Sequence, residues 1–297
     1  MATQSPILPV GGSTSSGFNL REKRQGGLLA LPAMLWLVFF FLLPLAIVFF
    51  VSFMSRGARG TVTFPLTLEH YERILGAVYF PVIVDSIRIA TITTIICLLV
   101  GYPLAFFIST RKNRMVQQFS LFLVILPFWT NFLVRTYAWR VLLGSDGPIN
   151  NLLLGLGVSG APLQLLNTDF AVLVGLVYGY LPFMVLPIYA SVERFDFRLV
   201  EAAHDLGSND WHAFWRVVFP LTLPGVVAGC MLVLIPSIGA FVTPDLLGGT
   251  EGLMIGNLIQ GQFRGTGNWP LGSAASVVMM ALVSIGLIIY TRFGNQN

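Results

Sequence analysis

The chain has 297 residues, of which 55% are hydrophobic and only 10% are charged. Soluble domains carry about 25% charged residues, so this composition excludes an ordinary soluble protein and indicates an integral membrane protein. The net charge of +4 does not indicate a nucleic-acid-binding protein, because the basic residues are spread among the loops instead of forming one patch.

Six apolar stretches are each long enough for a helix to cross a bilayer, which takes about 20 residues. They predict an all-α integral membrane protein with spans at about 27–53, 83–109, 117–138, 170–192, 222–246 and 271–291. Residues 1–26 are polar and rich in Gly, Ser and Gln. They are predicted to form an N-terminal tail that precedes a transmembrane domain over 27–292.

The basic residues predict the orientation of the chain. Six spans place the tail, the second loop, the fourth loop and the C-terminus on one side, which carries ten basic residues against six on the other. The positive-inside rule therefore puts that side and both termini in the cytoplasm. The ten are Arg21, Lys23, Arg24, Arg111, Lys112, Arg114, Arg194, Arg198, Arg216 and Arg292, and the six are Arg56, Arg59, Arg73, Arg135, Arg140 and Arg264.

Two patterns stand out in the loops predicted to be external. The segment TLEHYERIL at 67–75 predicts a short helix that Thr67 could cap and that packs on the outer surface. The segment GLGVSG at 155–160 matches the GxGxxG spacing of dinucleotide-binding proteins. No strand precedes it and Pro162 follows it, so we reject a dinucleotide site.

Proline and glycine are placed within the spans in a pattern that favours a moving protein. Spans one to five contain proline, which predicts kinks, and broken helices near the membrane midplane are typical of transporter pathways. Two pairs of glycines have the small-xxx-small spacing that lets helices pack closely. They are Gly175 and Gly179 in span four and Gly225 and Gly229 in span five.

The fourth loop, residues 193–221, is the longest polar segment between two spans. It is predicted to form two short helices joined by a turn, which we call the knob. The first helix is expected at 197–206, with Asp196 as its N-cap. Gly207 is expected to adopt the left-handed conformation that ends many helices.

Ser208 is predicted to cap the second helix of the knob, and Pro220 and Pro224 are predicted to stop it, because proline lacks the backbone N–H that a helix interior needs. The pattern favours two interpretations equally. The knob could dock into a soluble partner, or it could rest on the lipid headgroups as an amphipathic segment. Its apolar stripe consists of Trp211, Phe214, Trp215 and Val218.

The sequence contains no recognisable catalytic chemistry. The only lysines, Lys23 and Lys112, do not follow a glycine, so there is no P-loop, and any ATP hydrolysis must come from a partner. The three histidines show no metal-ligand spacing, and no GxSxG motif is present. Ionisable groups within the predicted spans are few and lie near their ends, which argues against an intramembrane enzyme. They are Asp85, Arg88, Arg135 and Asp245.

Three parts of the knob and its exit resemble the EAA loop of the membrane subunits of binding-protein-dependent ABC importers. These are Glu201-Ala202-Ala203, Gly207, and Phe219-Pro220-Leu221. In that family the loop is the coupling helix that sits in a groove of the ATP-binding subunit. The resemblance implies coupling roles for Glu201, Ala202, Ala203, Asp205, Gly207 and Pro220.

The resemblance extends over most of 27–292 and is to the spermidine/putrescine group of these permeases, of the first-permease type. It is carried by 99–105 (LVGYPLA), 126–131 (LPFWTN), 181–184 (LPFM), 239–249 (GAFVTPDLLGG), 254–257 (MIGN) and 268–270 (NWP). It implies a type I importer fold (MetI-like) in the bacterial inner membrane. It also implies a second homologous permease subunit, two ATP-binding subunits that hold Mg-ATP, and an external solute-binding protein.

A polyamine path should offer carboxylates and aromatic faces to a polycation. The candidates are Trp129, Asn131, Tyr178, Tyr180 and Asp245. Interface anchoring or helix packing explains each aromatic residue equally well. Ala240 stands where some relatives have a carboxylate. Ferric iron, thiamine, phosphonates or opines remain alternative cargoes, and an ATP-independent channel or secondary transporter is the alternative of a different class.

Overall fold

The computed structural model describes residues 31–57, 61–249 and 252–294. The predicted tail at 1–26, with Arg21, Lys23 and Arg24, and the loop residue Arg59 lie outside the described residues. The described residues are mainly helical, and the predicted all-α membrane fold is confirmed. A two-stranded antiparallel sheet, β1 (Met54–Arg56) and β2 (Val62–Leu66), is the addition that the sequence did not predict.

Five of the described helices are long and apolar enough to cross a membrane. They are α1 (Leu31–Val51), α3 (Phe80–Ser109), α7 (Asp169–Glu193), α9 (Asp210–Ile238) and α12 (Trp269–Gly294). The remaining predicted span is a pair of helices bent by 93° at Thr130 and Asn131, so the predicted six spans are reached when the pair is counted as one.

The bent pair consists of α4 (Arg114–Ile125), which continues as a 3₁₀ turn at Leu126–Trp129, and α5 (Phe132–Leu143). Pro127 lies in the first positions of the 3₁₀ turn, where its missing N–H costs little. Asn131 is extended, and its side chain caps α5 by accepting a hydrogen bond of 2.8 Å from the backbone N–H of Leu133. The predicted span at 117–138 is therefore broken and not one continuous helix.

The chain divides into two units, Met1–Ile47 and Val48–Asn297. The described part of the first unit is helical from Leu31 and contains a π-turn at Val38–Leu42. Its large apolar side chains, such as Trp36 and Phe41, are exposed, as expected for a helix that faces lipid.

In the second unit, α3, α7 and α9 pack against one another around one buried cluster that includes Tyr102, Met184 and Val233. Glycine allows the close approach of α7 and α9. A Cβ atom at Gly229 would lie 2.8 Å from the sulfur of Met184, and one at Gly225 would lie 2.7 Å from the carbonyl oxygen of Pro187. Small residues at this spacing let helix backbones meet.

Short elements fill the loops. They are α2 (Glu69–Leu75), α6 (Pro148–Gly155), α10 (Val242–Leu247) and α11 (Ile255–Arg264). The predicted helix at 67–75 is confirmed from Glu69 onward, and the Thr67 hydroxyl accepts a hydrogen bond of 3.1 Å from the Glu69 N–H. The segment 155–160 is the end of α6 and a following loop, with no strand before it.

The knob differs from its prediction at its exit. Helix α9 starts inside the knob at Asp210 and runs without interruption to Ile238, so the prediction that Pro220 and Pro224 stop this helix was wrong. The helix accommodates Pro220 by widening into a π-turn at Phe214–Val218. The second helix of the knob and span five are therefore one helix.

Candidate coupling site and transport path

The first helix of the knob is α8 (Arg198–Asp205). Phe197 is the residue before it, and the Asp196 carboxylate accepts a hydrogen bond of 3.0 Å from the Arg198 N–H. Asp196 therefore caps the helix as predicted, but the helix begins at Arg198 and not at Phe197, so Asp196 lies two residues before it instead of one. An acceptor here satisfies one of the free N–H groups of the first turn.

The turn of the knob is built on Gly207, which has φ +83°. The N–H of Ser208 donates to the Ala203 carbonyl at 3.0 Å, and the N–H of Gly207 donates to the His204 carbonyl at 2.8 Å. This pair of bonds is a Schellman motif, whose left-handed residue is usually glycine. The predicted left-handed Gly207 is therefore confirmed.

Asn209 caps the helix that leaves the turn. Its side-chain oxygen accepts a hydrogen bond of 2.9 Å from the His212 N–H and lies 2.6 Å from Nδ1 of the same histidine. The Ser208 hydroxyl makes no such bond to this helix and instead lies 3.4 Å from the Asn209 carbonyl. The prediction of Ser208 as the cap was wrong, and a better acceptor one residue later takes the position.

The tip of the knob presents an exposed polar surface. Glu201, Ala202, Asp205 and Gly207 are exposed, and Ala203 is half-buried. Within the described part of the chain, no ion pair involves Glu201 or Asp205. The Leu206 side chain is 90% exposed. A partner protein could contact these two carboxylates and the exposed leucine without breaking an ion pair that the described residues already make.

A groove of about 520 Å³ runs beside this tip. It is lined by both helices of the knob and their turn, including Ala203, Gly207 and His212. Pro220 lies apart from the tip, exposed on α9 just after the π-turn. Of the residues that the sequence assigns to coupling, the structure brings together all but Pro220.

The residues that the sequence assigns to a transport path do not converge. Trp129 is 77% exposed and packs edge-on against Phe122 at 6.1 Å. Asn131 caps α5, as described above. Asp245 is exposed on α10. These three side chains do not line the cavities that contain Tyr178 and Tyr180.

Tyr178 and Tyr180 line two different cavities, because residues two apart on a helix face in nearly opposite directions. Tyr178 lines a cavity of about 300 Å³ beside Pro127, and its ring contacts Trp139 edge-on at 5.5 Å. Tyr180 lines a cavity of about 360 Å³, and its hydroxyl donates to the Pro236 carbonyl at 3.3 Å. That carbonyl lies near the end of α9, so Tyr180 satisfies a group that the helix end leaves free.

Arg135 lies in the wall of the Tyr180 cavity, and the sequence interpretation did not assign it to the path. Its Nη1 donates to the Pro127 carbonyl at 3.0 Å across the bend. Its guanidinium carbon lies 5.4 Å from the Phe132 ring and 5.6 Å from the Tyr178 ring. Among the described residues, no ion pair involves Arg135. A cation within a predicted span was the signal that could have singled it out.

The two glycines of span four face different neighbours from those of span five. A Cβ atom at Gly175 would lie 2.6 Å from side-chain atoms of Thr243 and Leu247 on α10. At Gly179 the nearest atom would be Arg135 Nη2 at 3.9 Å. Gly175 thus permits the close packing of α10, whereas Gly179 leaves room for the arginine.

Near the N-terminal end of α3, Asp85 pairs with Arg88 at 3.3 Å. Arg88 also pairs with Asp169 of α7 at 2.6 Å, so it joins two spans. In the described ranges, no group of three or more His, Cys, Asp or Glu side chains is placed to hold a metal ion.

Comparison with known proteins places these features in context. The family model described as "Binding-protein-dependent transport system inner membrane component" matches residues 101–296, a range that includes the whole knob. The spermidine/putrescine transport system permease protein PotB of Haemophilus influenzae is 46% identical over 257 residues, which cover 86% of this chain and 90% of that protein. PotB of Escherichia coli K12 is 42% identical, covering 86% and 93%.

Solved structures share the fold at low sequence identity. A bacterial ABC transporter involved in the import of the acidic polysaccharide alginate aligns with a TM-score of 0.72 and 15% identity, covering 92% of this chain and 97% of that one. The inward-facing methionine ABC transporter MetNI aligns with a TM-score of 0.55 and 16% identity, covering 72% and 93%.

Proposed function

Because the chain belongs to the family of inner membrane components of binding-protein-dependent transport systems, we propose that it is a permease subunit of an ATP-driven polyamine importer. The observation that supports a polyamine as the cargo is the 42% to 46% identity to two permeases of spermidine/putrescine transport systems over 86% of the chain. The fold comparison supports the importer class alone, because the aligned structures are only 15% to 16% identical.

The knob is the proposed coupling site for a partner ATP-binding subunit. Glu201 and Asp205 offer free carboxylates to the partner, and the small Ala202 and Ala203 let its surface approach α8. Gly207 sets the turn between the helices. Pro220 contributes from inside α9, where it favours the π-turn that sets the exit angle of the knob.

The proposed cycle is alternating access. ATP binding closes two partner subunits, their grooves move the knob, and the kinked spans change from inward-facing to outward-facing. Mg-ATP is proposed to bind to those ATP-binding subunits. A second homologous permease and an external solute-binding protein complete the assembly in the bacterial inner membrane, with both termini of this chain in the cytoplasm.

The proposed path runs along the aromatic wall of the Tyr180 cavity, whereas Trp129, Asn131, Tyr178 and Asp245 stay candidates that do not line this cavity. Aromatic faces attract organic ammonium groups, and the Arg135 cation in the same wall opposes that attraction. The four aromatic residues that line this cavity are Phe128, Phe132, Tyr180 and Phe183.

Uptake of labelled spermidine tests the proposal in uptake-deficient cells that express the whole operon. We expect ATP-dependent uptake that excess putrescine competes and that ferric iron, thiamine, a phosphonate or an opine does not. No spermidine uptake by an intact, ATPase-bound complex would refute the cargo and leave the importer class standing. Vesicles that lack the ATPase subunits test the other class, because a channel or secondary transporter would still move the solute.

A further inference from the structure

An aromatic cluster connects the knob to α3. Phe106 of α3 packs edge-on against Phe197, the residue before α8, and against Phe214, the first residue of the π-turn, both at 6.3 Å between ring centroids. Tyr102, one helical turn earlier on α3, contacts the rings of Phe214 at 5.6 Å and Phe219 at 5.8 Å. The residue before α8 and the π-turn of α9 therefore contact the same face of α3.

The part of α9 that this cluster touches is its irregular part. The Phe219 N–H bonds to the Phe214 carbonyl, five residues back, and so closes the π-turn. Pro220 explains the irregularity, because a proline ring clashes with the carbonyl four residues earlier and gives it no N–H partner. Single π-turns inside α-helices often lie at functional sites, so the groups that contact this one deserve a functional explanation.

A buried hydrogen-bond chain ties this turn to α3. The Thr222 hydroxyl donates to the carbonyl of Val218, the last residue of the π-turn, at 2.9 Å. The Tyr102 hydroxyl lies 3.0 Å from the Thr222 hydroxyl oxygen. Either hydroxyl can donate in this pair, and Tyr102 is the donor whenever the single hydroxyl hydrogen of Thr222 goes to Val218. Both residues are buried, so water does not replace this bond.

We propose that the Tyr102–Thr222 hydrogen bond makes Tyr102 a positioning residue for transport, because it locks the π-turn to α3. A push on the knob then moves α3 together with α9. Without the bond, the π-turn can yield and absorb the push, and ATP hydrolysis proceeds with less transport. This inference rests on the proposed function, because it assumes that the knob receives the motion of an ATPase partner.

The test uses Tyr102→Phe, which removes only the hydroxyl, in the full complex reconstituted in vesicles. The matched control is Tyr189→Phe. The Tyr189 hydroxyl also bonds between helices, accepting from Gln117 Nε2 at 2.9 Å, and it bonds Glu193 at the end of its own helix, so its hydrogen bonds join α4 to α7 and not the π-turn to α3. Polyamine uptake and ATP hydrolysis are measured on the same vesicles, and their ratio is the readout.

We expect Tyr102→Phe to lower uptake per ATP about fivefold, which corresponds to the roughly 1 kcal/mol of one buried hydrogen bond. Thr222→Val should lower the ratio equally, and Thr222→Ser should keep it. The double variant with Tyr102→Phe and Thr222→Val should be no worse than either single change, because both remove the same bond. A purely structural role would lower uptake and hydrolysis together through loss of assembled complex.

An unchanged ratio in Tyr102→Phe would overturn the inference, as would an equal loss in Tyr189→Phe. A wild-type complex that hydrolyses ATP but takes up no polyamine would instead refute the proposed cargo. The two failures are therefore distinguishable in one experiment.

Discussion

Replacement of Gly207 isolates the contribution of the knob turn. Gly207 has φ +83°, and a Cβ atom here would meet nothing within 4 Å. A side chain at this position is therefore unfavourable only because of the backbone conformation and not because of a steric clash with other residues. That conformation costs about 1 to 2 kcal/mol for alanine, and more for a β-branched residue such as valine. The Schellman turn should therefore be about 5- to 30-fold less populated in Gly207→Ala.

Gly207→Asn is the control, because asparagine tolerates the left-handed region better than other residues with a side chain. We expect ATP-coupled uptake in reconstituted vesicles to fall in the order Gly, Asn, Ala, Val, while the amount of folded permease stays constant. ATP-coupled uptake that is intact in Gly207→Val would refute the coupling role of the knob. Equal losses in Gly207→Asn and Gly207→Val would place the defect at the contact with the partner and not in the backbone.

Two further substitutions test the packing of the second unit. Gly229→Ala should destabilise the permease by about 1 to 3 kcal/mol in thermal unfolding, because its Cβ would lie 2.8 Å from the Met184 sulfur. Gly286→Ala is the control and should not destabilise the permease, because a Cβ atom there would meet nothing within 4 Å. Equal stability of the two variants would contradict close packing of α7 and α9. Asn257→Ala removes the amide that donates to the Phe241 carbonyl at 2.8 Å, so we expect about 1 to 3 kcal/mol lower stability and faster proteolysis after α9. Unchanged proteolysis there would contradict a role for Asn257 in holding this segment.

The sequence alone determined the features that depend on local chemistry. A long apolar stretch predicts a transmembrane helix because every backbone N–H and C=O in lipid must find its hydrogen-bond partner within the helix. The membrane spans could therefore be predicted from the sequence. Gly207 was predictable because the left-handed residue at the end of a helix is usually glycine. The coupling roles of the knob came from its resemblance to the EAA loop, and they stay predictions.

Only the tertiary structure decided the features that depend on distant partners. Pro220 does not stop α9, because the helix widens and α3 supplies the aromatic contacts and the Tyr102 hydroxyl that hold the widened turn. Tyr178 and Tyr180 face different cavities, and Arg135 reaches across a bend whose angle no local pattern specifies. The prolines in the sequence show where a regular helix loses a backbone hydrogen bond. The neighbouring helices determine whether the helix ends, bends or continues at that point.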